Sequence, residues 1–168
     1  MERLWAPWRL EYIVAERADG CIFCEFPKQD EDDKRHILAR GEVAFVIMNA
    51  FPYSNGHLLI APYRHLADIS QLTDEEGLEM MQLTQQCCRA LTSVCNPDGF
   101  NVGMNLGAAA GAGIADHLHV HIVPRWVGDI NFMPVFADVK VIPEALDATY
   151  RKLKPVFRDF GPGKPRQA

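Results

Sequence analysis

The stretch that decides the fold is His117-Leu118-His119-Val120-His121-Ile122-Val123-Pro124. Histidine and aliphatic residues alternate along it, as side chains alternate between the two faces of a β-strand. A strand over 117–123 therefore places the three imidazoles on one face and the aliphatic side chains on the other. At a rise of about 3.3 Å per residue, successive histidines lie roughly 6.6 Å apart, so they can act on one ligand without being forced to touch.

Two kinds of chemistry suit a row of three histidines. Neutral imidazole is the commonest metal ligand, so all three could hold a catalytic zinc ion. Alternatively, His119 could be a nucleophile whose neighbours fix its tautomer and stabilise charge on a substrate. The loop at 107–113 favours the second hypothesis, because it contains only glycine and alanine and its backbone N–H groups suit a phosphate. A flexible lid would have the same composition.

The segments around this strand predict an α+β domain with an antiparallel sheet of about five strands. The capping box at 73–76 opens a long helix that ends at 96–99, and a second helix is predicted over 143–157. The polar run at 29–35 predicts a solvated loop with no function. Strands are predicted at 37–39, 43–48, 57–61, 100–106 and 117–123, with Pro62 and Pro124 ending the third and the fifth.

Length, charge and hydropathy limit the class of protein. A chain of 168 residues with 48% hydrophobic and 23% charged residues is typical of one globular domain. The longest apolar run, 43–48, is far too short to span a bilayer, and the first residues lack the apolar core of a signal peptide. We therefore expect a cytoplasmic protein without a membrane partner. A net charge of -5 argues against binding to a nucleic-acid polymer.

The chain has five cysteines and six histidines. In a cytoplasmic protein such cysteines are more often thiols, metal ligands or catalysts than disulfides. Cys21 and Cys24 have the spacing of two zinc ligands, although one such pair is half of a site. We expect Cys87, Cys88 and Cys95 to pack on the long helix as small hydrophobic residues. The pattern assigns no role to His36 and predicts an exposed loop residue there.

The histidine motif resembles the His-x-His-x-His-x-x signature of the histidine triad (HIT) superfamily of nucleotide hydrolases and transferases. Supporting motifs stand in that family's order: Cys21-Ile22-Phe23-Cys24, Asn49 before a turn, the segment 56–62 with His57, His65 shortly after it, and Asn105 before the glycine loop. The segments 4–9, 100–107, 124–126 and 128–132 resemble the bacterial diadenosine tetraphosphate phosphorylase-type branch. The resemblance covers about residues 4–144.

The resemblance implies an enzyme that acts on dinucleoside polyphosphates such as diadenosine tetraphosphate. His119 would attack the α-phosphorus and form a nucleotidyl-histidine intermediate, which phosphate or water would resolve. His57 and His121 would stabilise charge on the transferring group. The alternatives are a purine nucleoside phosphoramidate hydrolase and a nucleotide-binding interaction module with low turnover.

The nucleotide contacts follow from the same resemblance. Asn49 matches a ribose-binding position, and Asn105 matches a position near the phosphates, beside the loop that contains Gly111 and Gly113. Many members carry Gln and Ser or Thr just before the triad, whereas this chain has 113–116 as Gly-Ile-Ala-Asp. Loop amides or the segment 125–126 would then handle the leaving group. Adenine would rest against Ile22, Phe23, Phe45 and Ile47, and the candidate cations are Arg64, Arg125 and Lys140.

The resemblance also implies a structural zinc ion and a second subunit. Zinc-containing members suggest a closed Cys₂His₂ site made of Cys21, Cys24, His65 and His117, with no organic cofactor. The family pairs its subunits, so we expect a homodimer. The expected organisation is a packing arm over 1–20, a HIT domain over 21–144, and a C-terminal helix with a loose tail over 145–168.

Overall fold

The structure is a computed structural model that describes residues 20–129 and 142–158. Its strands are β1 (Ile37–Arg40), β2 (Ala44–Met48), β3 (Leu58–Pro62), β4 (Gly99–Met104) and β5 (Val120–Arg125). Its α-helices are α1 (Ile22–Glu25), α2 (Asp32–Arg35), α3 (Asp74–Cys95) and α4 (Leu146–Arg158). The predicted arm before Gly20, the segment 130–141 and the tail after 158 lie outside the described residues.

The described strands form one sheet in the order β1-β2-β3-β5-β4, and each neighbouring pair is antiparallel. This arrangement confirms the predicted α+β class with five antiparallel strands. β5, which carries His121, lies between β3 and β4, so residues from both neighbours surround the predicted site. In this register His121 is paired with Leu59 on one side and with Gly103 on the other.

Alternation along β2 and β3 gives the sheet two buried faces. One face packs under the long helix α3 and the C-terminal helix α4, and it includes Val46, Leu58, Ile60 and Ile122. The opposite face holds a smaller cluster that α1 covers, whose fully buried members include Phe23, Phe45 and Ala61. Because His121 is directly opposite Leu59 of the smaller cluster, the histidines lie on the face away from α3.

The long helix begins at the predicted capping box. The Thr73 side chain accepts the N–H of Glu76, and the Glu76 carboxylate accepts the N–H of Thr73. The helix ends at Cys95 and is capped by Asn96, whose backbone is left-handed with φ 44°. One turn into the helix, the Glu79 carboxylate accepts the N–H groups of residues 42, 43 and 44 at 2.7–2.8 Å and so fixes α3 to the turn before β2.

The fifth strand begins three residues later than predicted. Pairing starts at Val120, because the N–H of Leu118 donates to the carbonyl of Leu66 at 2.6 Å and so leaves the sheet ladder. The prediction that two prolines end their strands was also wrong. Pro62 pairs with Ala44, and Pro124 pairs with Phe100, so both lie within the sheet. β3 pairs with β5 only as far as residue 122. Pro124, which lacks an N–H, therefore lies beyond the part of β5 that bonds to β3.

The region 29–36 is more structured than predicted. Residues 32–35 form α2, and Asp32 of this helix pairs with Arg40 at 2.7 Å while Asp33 accepts the Tyr150 hydroxyl. His36 is not a simple exposed loop residue, since it ends α2 in the left-handed conformation and its Nε2 lies 2.7 Å from an oxygen of Asp147. This contact joins the β1 side of the sheet to the first turn of α4.

Three smaller differences concern loops and element ends. The glycine and alanine loop contains a 3₁₀ turn at Ala108–Ala110, and α4 begins at Leu146 rather than at 143. β4 begins at Gly99 and ends at Met104, one residue before and two residues before the predicted bounds. Within the described ranges, no helix has the length and apolar character needed to cross a bilayer.

Candidate active site

The structure brings His57, His119 and His121 together into one buried cluster. The Nε2 atom of His57 lies 3.0 Å from Nδ1 of His121, and the ring centroids of His119 and His121 are 4.8 Å apart. Each of the three residues is less than a tenth exposed. The rings of His119 and His121 are closer than the spacing of a regular strand predicts, because His119 lies outside the regular strand and its ring turns toward His121.

A backbone N–H and a side-chain amide fix the proton on His57, and His57 in turn fixes the proton on His121. The N–H of Tyr53 donates to Nδ1 of His57 at 3.0 Å, and the Asn49 amide also donates to this atom at 3.1 Å. His57 therefore carries its proton on Nε2 and donates it to Nδ1 of His121. It follows that His121 carries its own proton on Nε2. That buried N–H has no acceptor among the described residues, so it is available to an oxygen of a bound substrate.

A backbone carbonyl fixes the proton on His119. Nδ1 of His119 lies 2.8 Å from the carbonyl oxygen of His117, and a carbonyl can only accept, so Nδ1 is the protonated nitrogen. The lone pair of His119 is then on Nε2. A neutral imidazole in this tautomer has the electron pair that a nucleophile requires.

Burial keeps these imidazoles neutral. It lowers the pKa of His121 to about 4, and the nearby His119 adds a smaller effect in the same direction. Burial also lowers the pKa of His119, although its hydrogen bond to the His117 carbonyl opposes this. At neutral pH the cluster therefore combines a lone pair on His119 with an N–H donor on His121.

The predicted adenine residues form a wall beside His119. Phe23 is completely buried, with its ring centroid 4.9 Å from that of His119 and 5.2 Å from that of His117. Phe45 and Ile47 are also buried in the smaller cluster, whereas Ile22 is partly exposed at its edge. Of the four predicted residues, Ile22 is thus the one whose side chain is accessible at the surface of this wall.

Asn49, the predicted ribose contact, holds the turn before β3 in addition to any contact with a ligand. Its Oδ1 accepts the N–H of Phe51 at 2.9 Å, and its amide donates to His57, so both ends of the side chain hold the turn before β3. Asn105 is partly buried just after β4. In the loop, Gly113 is exposed, but the N–H of Gly111 already donates to Ala108 within the 3₁₀ turn.

The predicted cations have other partners. Arg64 binds the Glu76 carboxylate at 2.6 Å, and Arg125 binds Asp129 at 2.6 Å. Arg125 also donates to Asn101 at 2.7 Å, so its guanidinium holds the chain after β5 against β4. Lys140 lies outside the described residues. These contacts hold each guanidinium group against a carboxylate and not against the histidine cluster.

The four predicted metal ligands meet beside the triad. One ligand atom from each of Cys21, Cys24, His65 and His117 lies within 4.8 Å of the others. Nδ1 of His117 is 3.2 Å from the Cys21 sulfur, and Nδ1 of His65 is 3.3 Å from the Cys24 sulfur. His117 donates its Nε2 proton to the Pro62 carbonyl at 2.9 Å, which leaves the Nδ1 lone pair directed at the thiols. Two thiols and two imidazoles at this separation could hold a metal.

One aromatic residue of the site was not identified from the sequence. Tyr53 stacks on His121, with ring centroids 5.6 Å apart and planes inclined by 14°, and its ring centroid lies 4.7 Å from that of His57. A tyrosine in a turn gives no periodic signal. Its position four residues before His57, in the turn that must present that histidine, is the only indication that the chain offers.

Comparison with known proteins identifies the family. Residues 30–127 match the HIT domain model. The chain is 41% identical over 162 residues to an AP-4-A phosphorylase of Mycobacterium tuberculosis, which covers 91% of this chain and 83% of that protein. It is 31% identical over 106 residues to an adenosine 5'-monophosphoramidase of Schizosaccharomyces pombe, covering 63% of this chain and 74% of that protein.

A solved structure agrees with the fold. A zinc-bound histidine triad family protein from Mycobacterium smegmatis superposes with a TM-score of 0.66 and 24% identity, over 84% of this chain and 95% of that one. The sheet order, the meeting of the histidines and the matched residues 30–127 lead to one assignment. The chain belongs to the HIT family and is an enzyme of that family.

Proposed function

We propose that the chain catalyses phosphorolysis of dinucleoside polyphosphates, with diadenosine tetraphosphate as the substrate and ATP and ADP as products. That it is a nucleotide-processing HIT enzyme follows from the comparisons. The 41% identity to an AP-4-A phosphorylase over nearly the whole chain supports this particular substrate and phosphate as the acceptor. Hydrolysis, with water as acceptor, is the closest competing reaction.

In the proposed reaction, Nε2 of His119 attacks the α-phosphorus. A nitrogen–phosphorus bond forms, the bond from that phosphorus to its bridging oxygen breaks, and ATP leaves with the electron pair. The ring then carries a positive charge, which the hydrogen bond from Nδ1 to the His117 carbonyl stabilises. The Nε2 proton of His121 stabilises negative charge on the phosphoryl oxygens. An oxygen of inorganic phosphate next attacks the same phosphorus, the bond to His119 breaks, and ADP leaves.

The observation that carries this mechanism is the chain of hydrogen bonds from Tyr53 through His57 to His121. It produces a donor next to a lone pair, which is the arrangement that transfer of a phosphoryl-type group to nitrogen requires. A metal site made by all three triad histidines is less well supported, since the His117 lone pair faces the cysteines and the His119 lone pair does not.

Product analysis tests the function. Purified protein is incubated with diadenosine tetraphosphate with and without inorganic phosphate, and nucleotides are separated by ion-exchange chromatography. We expect ADP and ATP in equal amounts, formed only when phosphate is present. AMP and ATP formed equally in both reactions would replace phosphorolysis with hydrolysis. Binding of AMP without turnover of any of these substrates would instead support the nucleotide-binding module.

Phosphoramidate hydrolysis is the second candidate, and the 31% identity to a monophosphoramidase favours it. It would use the same attack by His119 but release an amine. The segment before the triad offers no hydroxyl or amide side chain at 113–115 to assist a leaving group. An amine must be protonated as it leaves, whereas ATP leaves as a stabilised polyphosphate anion, so the lack of such a donor disfavours this candidate relative to phosphorolysis. Release of ammonia from adenosine 5'-phosphoramidate faster than ADP from diadenosine tetraphosphate would favour this candidate.

We also propose that Zn²⁺ binds to Cys21, Cys24, His65 and His117. The donor set is that of a closed structural zinc site, and the neutral His117 already has the required tautomer. Burial and the neighbouring Cys21 raise the pKa of the Cys24 thiol, so binding of the cation would have to release the thiol proton. In this proposal the ion supplies structural stability, and His57, His119 and His121 supply the chemistry.

A homodimer is the proposed assembly. β4 is one of the two edge strands of the described sheet, and Val102 on it is 50% exposed. An exposed edge strand can pair with the same strand of a second copy about a two-fold axis. Sedimentation of the wild type should give twice the mass of the chain, and Val102→Arg should reduce that mass. A wild-type monomer at micromolar concentration would contradict the assembly.

A further inference from the structure

The ring of Tyr53 covers one of the triad histidines. It lies nearly parallel to the ring of His121, with planes inclined by 14° and centroids 5.6 Å apart. The two residues are far apart in the chain, one in the turn between β2 and β3 and one in β5. His121 is 9% exposed, whereas Tyr53 is 44% exposed, so the phenol ring stands between the imidazole and solvent.

His121 needs such a support because its hydrogen bonds alone do not fix its plane. A single hydrogen bond, from His57 to Nδ1, holds the ring, and Nε2 has no acceptor among the described residues. One hydrogen bond to Nδ1 restrains the rotation about Cβ–Cγ only loosely, because this torsion is broad. On its opposite side in β4 the paired residue is Gly103, which has no side chain to restrict the ring. The rings of His57 and His119 lie tilted against the imidazole, and the phenol is the one ring among the described residues that stacks nearly parallel to it and so constrains its plane.

We propose that Tyr53 is a positioning residue that holds the His121 imidazole with its Nε2–H directed at the phosphoryl group. This inference rests on the proposed function, because the donor matters only if a phosphoryl oxygen is bound there. The backbone of Tyr53 fixes the proton on His57, and its side chain fixes the plane of His121. One residue thus controls both the tautomer and the orientation of the donor.

Kinetics of three variants test the role in turnover. Tyr53→Phe keeps the ring and should leave kcat within about twofold of the wild type. Tyr53→Ala should lower kcat by about tenfold with little change in KM, because misorientation affects the transition state more than substrate binding. Phe51→Ala is the matched control, since Phe51 is 55% exposed in the same turn and should leave kcat unchanged. Equal kcat for Tyr53→Ala and the wild type would overturn the proposal.

A second measurement does not depend on turnover. The titratable groups among the described residues that face His121 are His57, His119 and Tyr53. Because burial is the main cause of its lowered pKa, removing the Tyr53 ring should raise the NMR titration midpoint of His121 toward 6.5, and Tyr53→Phe should not. Tyr53→Leu serves the same purpose if the alanine variant unfolds. An unchanged midpoint would overturn the inference, whereas a wild type inactive on diadenosine tetraphosphate would overturn only the proposed function.

Discussion

At the scale of single residues, His119 separates covalent catalysis from metal catalysis. His119→Asn should reduce turnover by about 10³-fold or more, because the variant has no nucleophilic nitrogen at the position of Nε2. An asparagine amide can still donate to the His117 carbonyl, so the local structure should be kept. Steady-state rates with diadenosine tetraphosphate, nucleotide affinity and zinc content should be measured on the same preparation, and only the rates should fall.

His36→Asn is the matched control for that experiment. His36 is a histidine outside the cluster, and its side chain contacts Asp147 and Tyr150 of the C-terminal helix. The variant His36→Asn should have a slightly lower free energy of unfolding and nearly unchanged turnover. If His119→Asn lost zinc together with activity, the result would favour a catalytic metal held by the triad and would contradict the nucleophile assignment.

At the scale of secondary-structure elements, the start of α3 makes stability depend on pH. The hydrogen bond from Arg64 is the largest cause that lowers the pKa of Glu76, from its ordinary 4.5 to about 2, and bonds from Thr73 contribute. The folded state thus binds the Glu76 proton less tightly than the unfolded chain does. This stabilisation is complete above pH 4.5 and decreases as the pH falls toward 2.

Glu76→Gln should therefore destabilise the protein at pH 7 by about 2 kcal/mol, and by less at pH 3. Urea unfolding at both pH values measures the difference. Glu75→Gln is the control, because Glu75 is an exposed neighbour in the same helical turn. If Glu76→Gln lowered the free energy of unfolding equally at both pH values, the carboxylate charge would not be the cause of the destabilisation.

Replacement of two glycines by alanine should change the stability of the protein in opposite directions. Gly56 has φ +74°, and a Cβ there would lie 3.0 Å from Cδ2 of Leu91. Gly56→Ala should destabilise by about 1–2 kcal/mol and disturb His57 next to it. Gly77 lies inside α3 with nothing within 4 Å of an added Cβ, so Gly77→Ala should stabilise by about 0.5–1 kcal/mol. Thermal denaturation measures both changes in stability. Changes of the same sign would contradict the difference in backbone conformation and space at these two glycines.

The elements could be predicted from the sequence where the deciding interactions are local. The capping box of α3 and the apolar strands β2 and β3 depend on near neighbours, and the structure has both strands within one residue of their predicted bounds. The start of β5 could not be predicted, because it depends on the bond from Leu118 to Leu66, two residues that are far apart in the sequence. The same reason hides the contact of His36 with Asp147 and the stacking of Tyr53 on His121.

At the scale of the whole molecule, the Cys and His cluster joins three distant parts of the chain. Cys21 and Cys24 flank the start of α1, His65 follows β3, and His117 precedes β5. The cysteine sulfurs and the His117 ring are separated by 93 and 96 residues in the sequence. A metal bound there would close a long loop in the folded state, and a long loop is costly to close in the unfolded chain. Because His117 is two residues before His119, the same bond would also anchor the carbonyl that orients the nucleophile.

Loss of the metal should therefore lower stability and activity together. Cys24→Ser should reduce bound zinc well below that of the wild type and lower the Tm by at least about 5 °C, and a strong chelator should do the same to the wild type. Cys95→Ser is the control, since Cys95 is a partly buried cysteine at the end of α3 and should keep the wild-type zinc content. Metal analysis and calorimetry on the three proteins measure this. Equal zinc in Cys24→Ser and the wild type would refute the ligand set, and restored zinc without restored Tm would separate metal binding from folding.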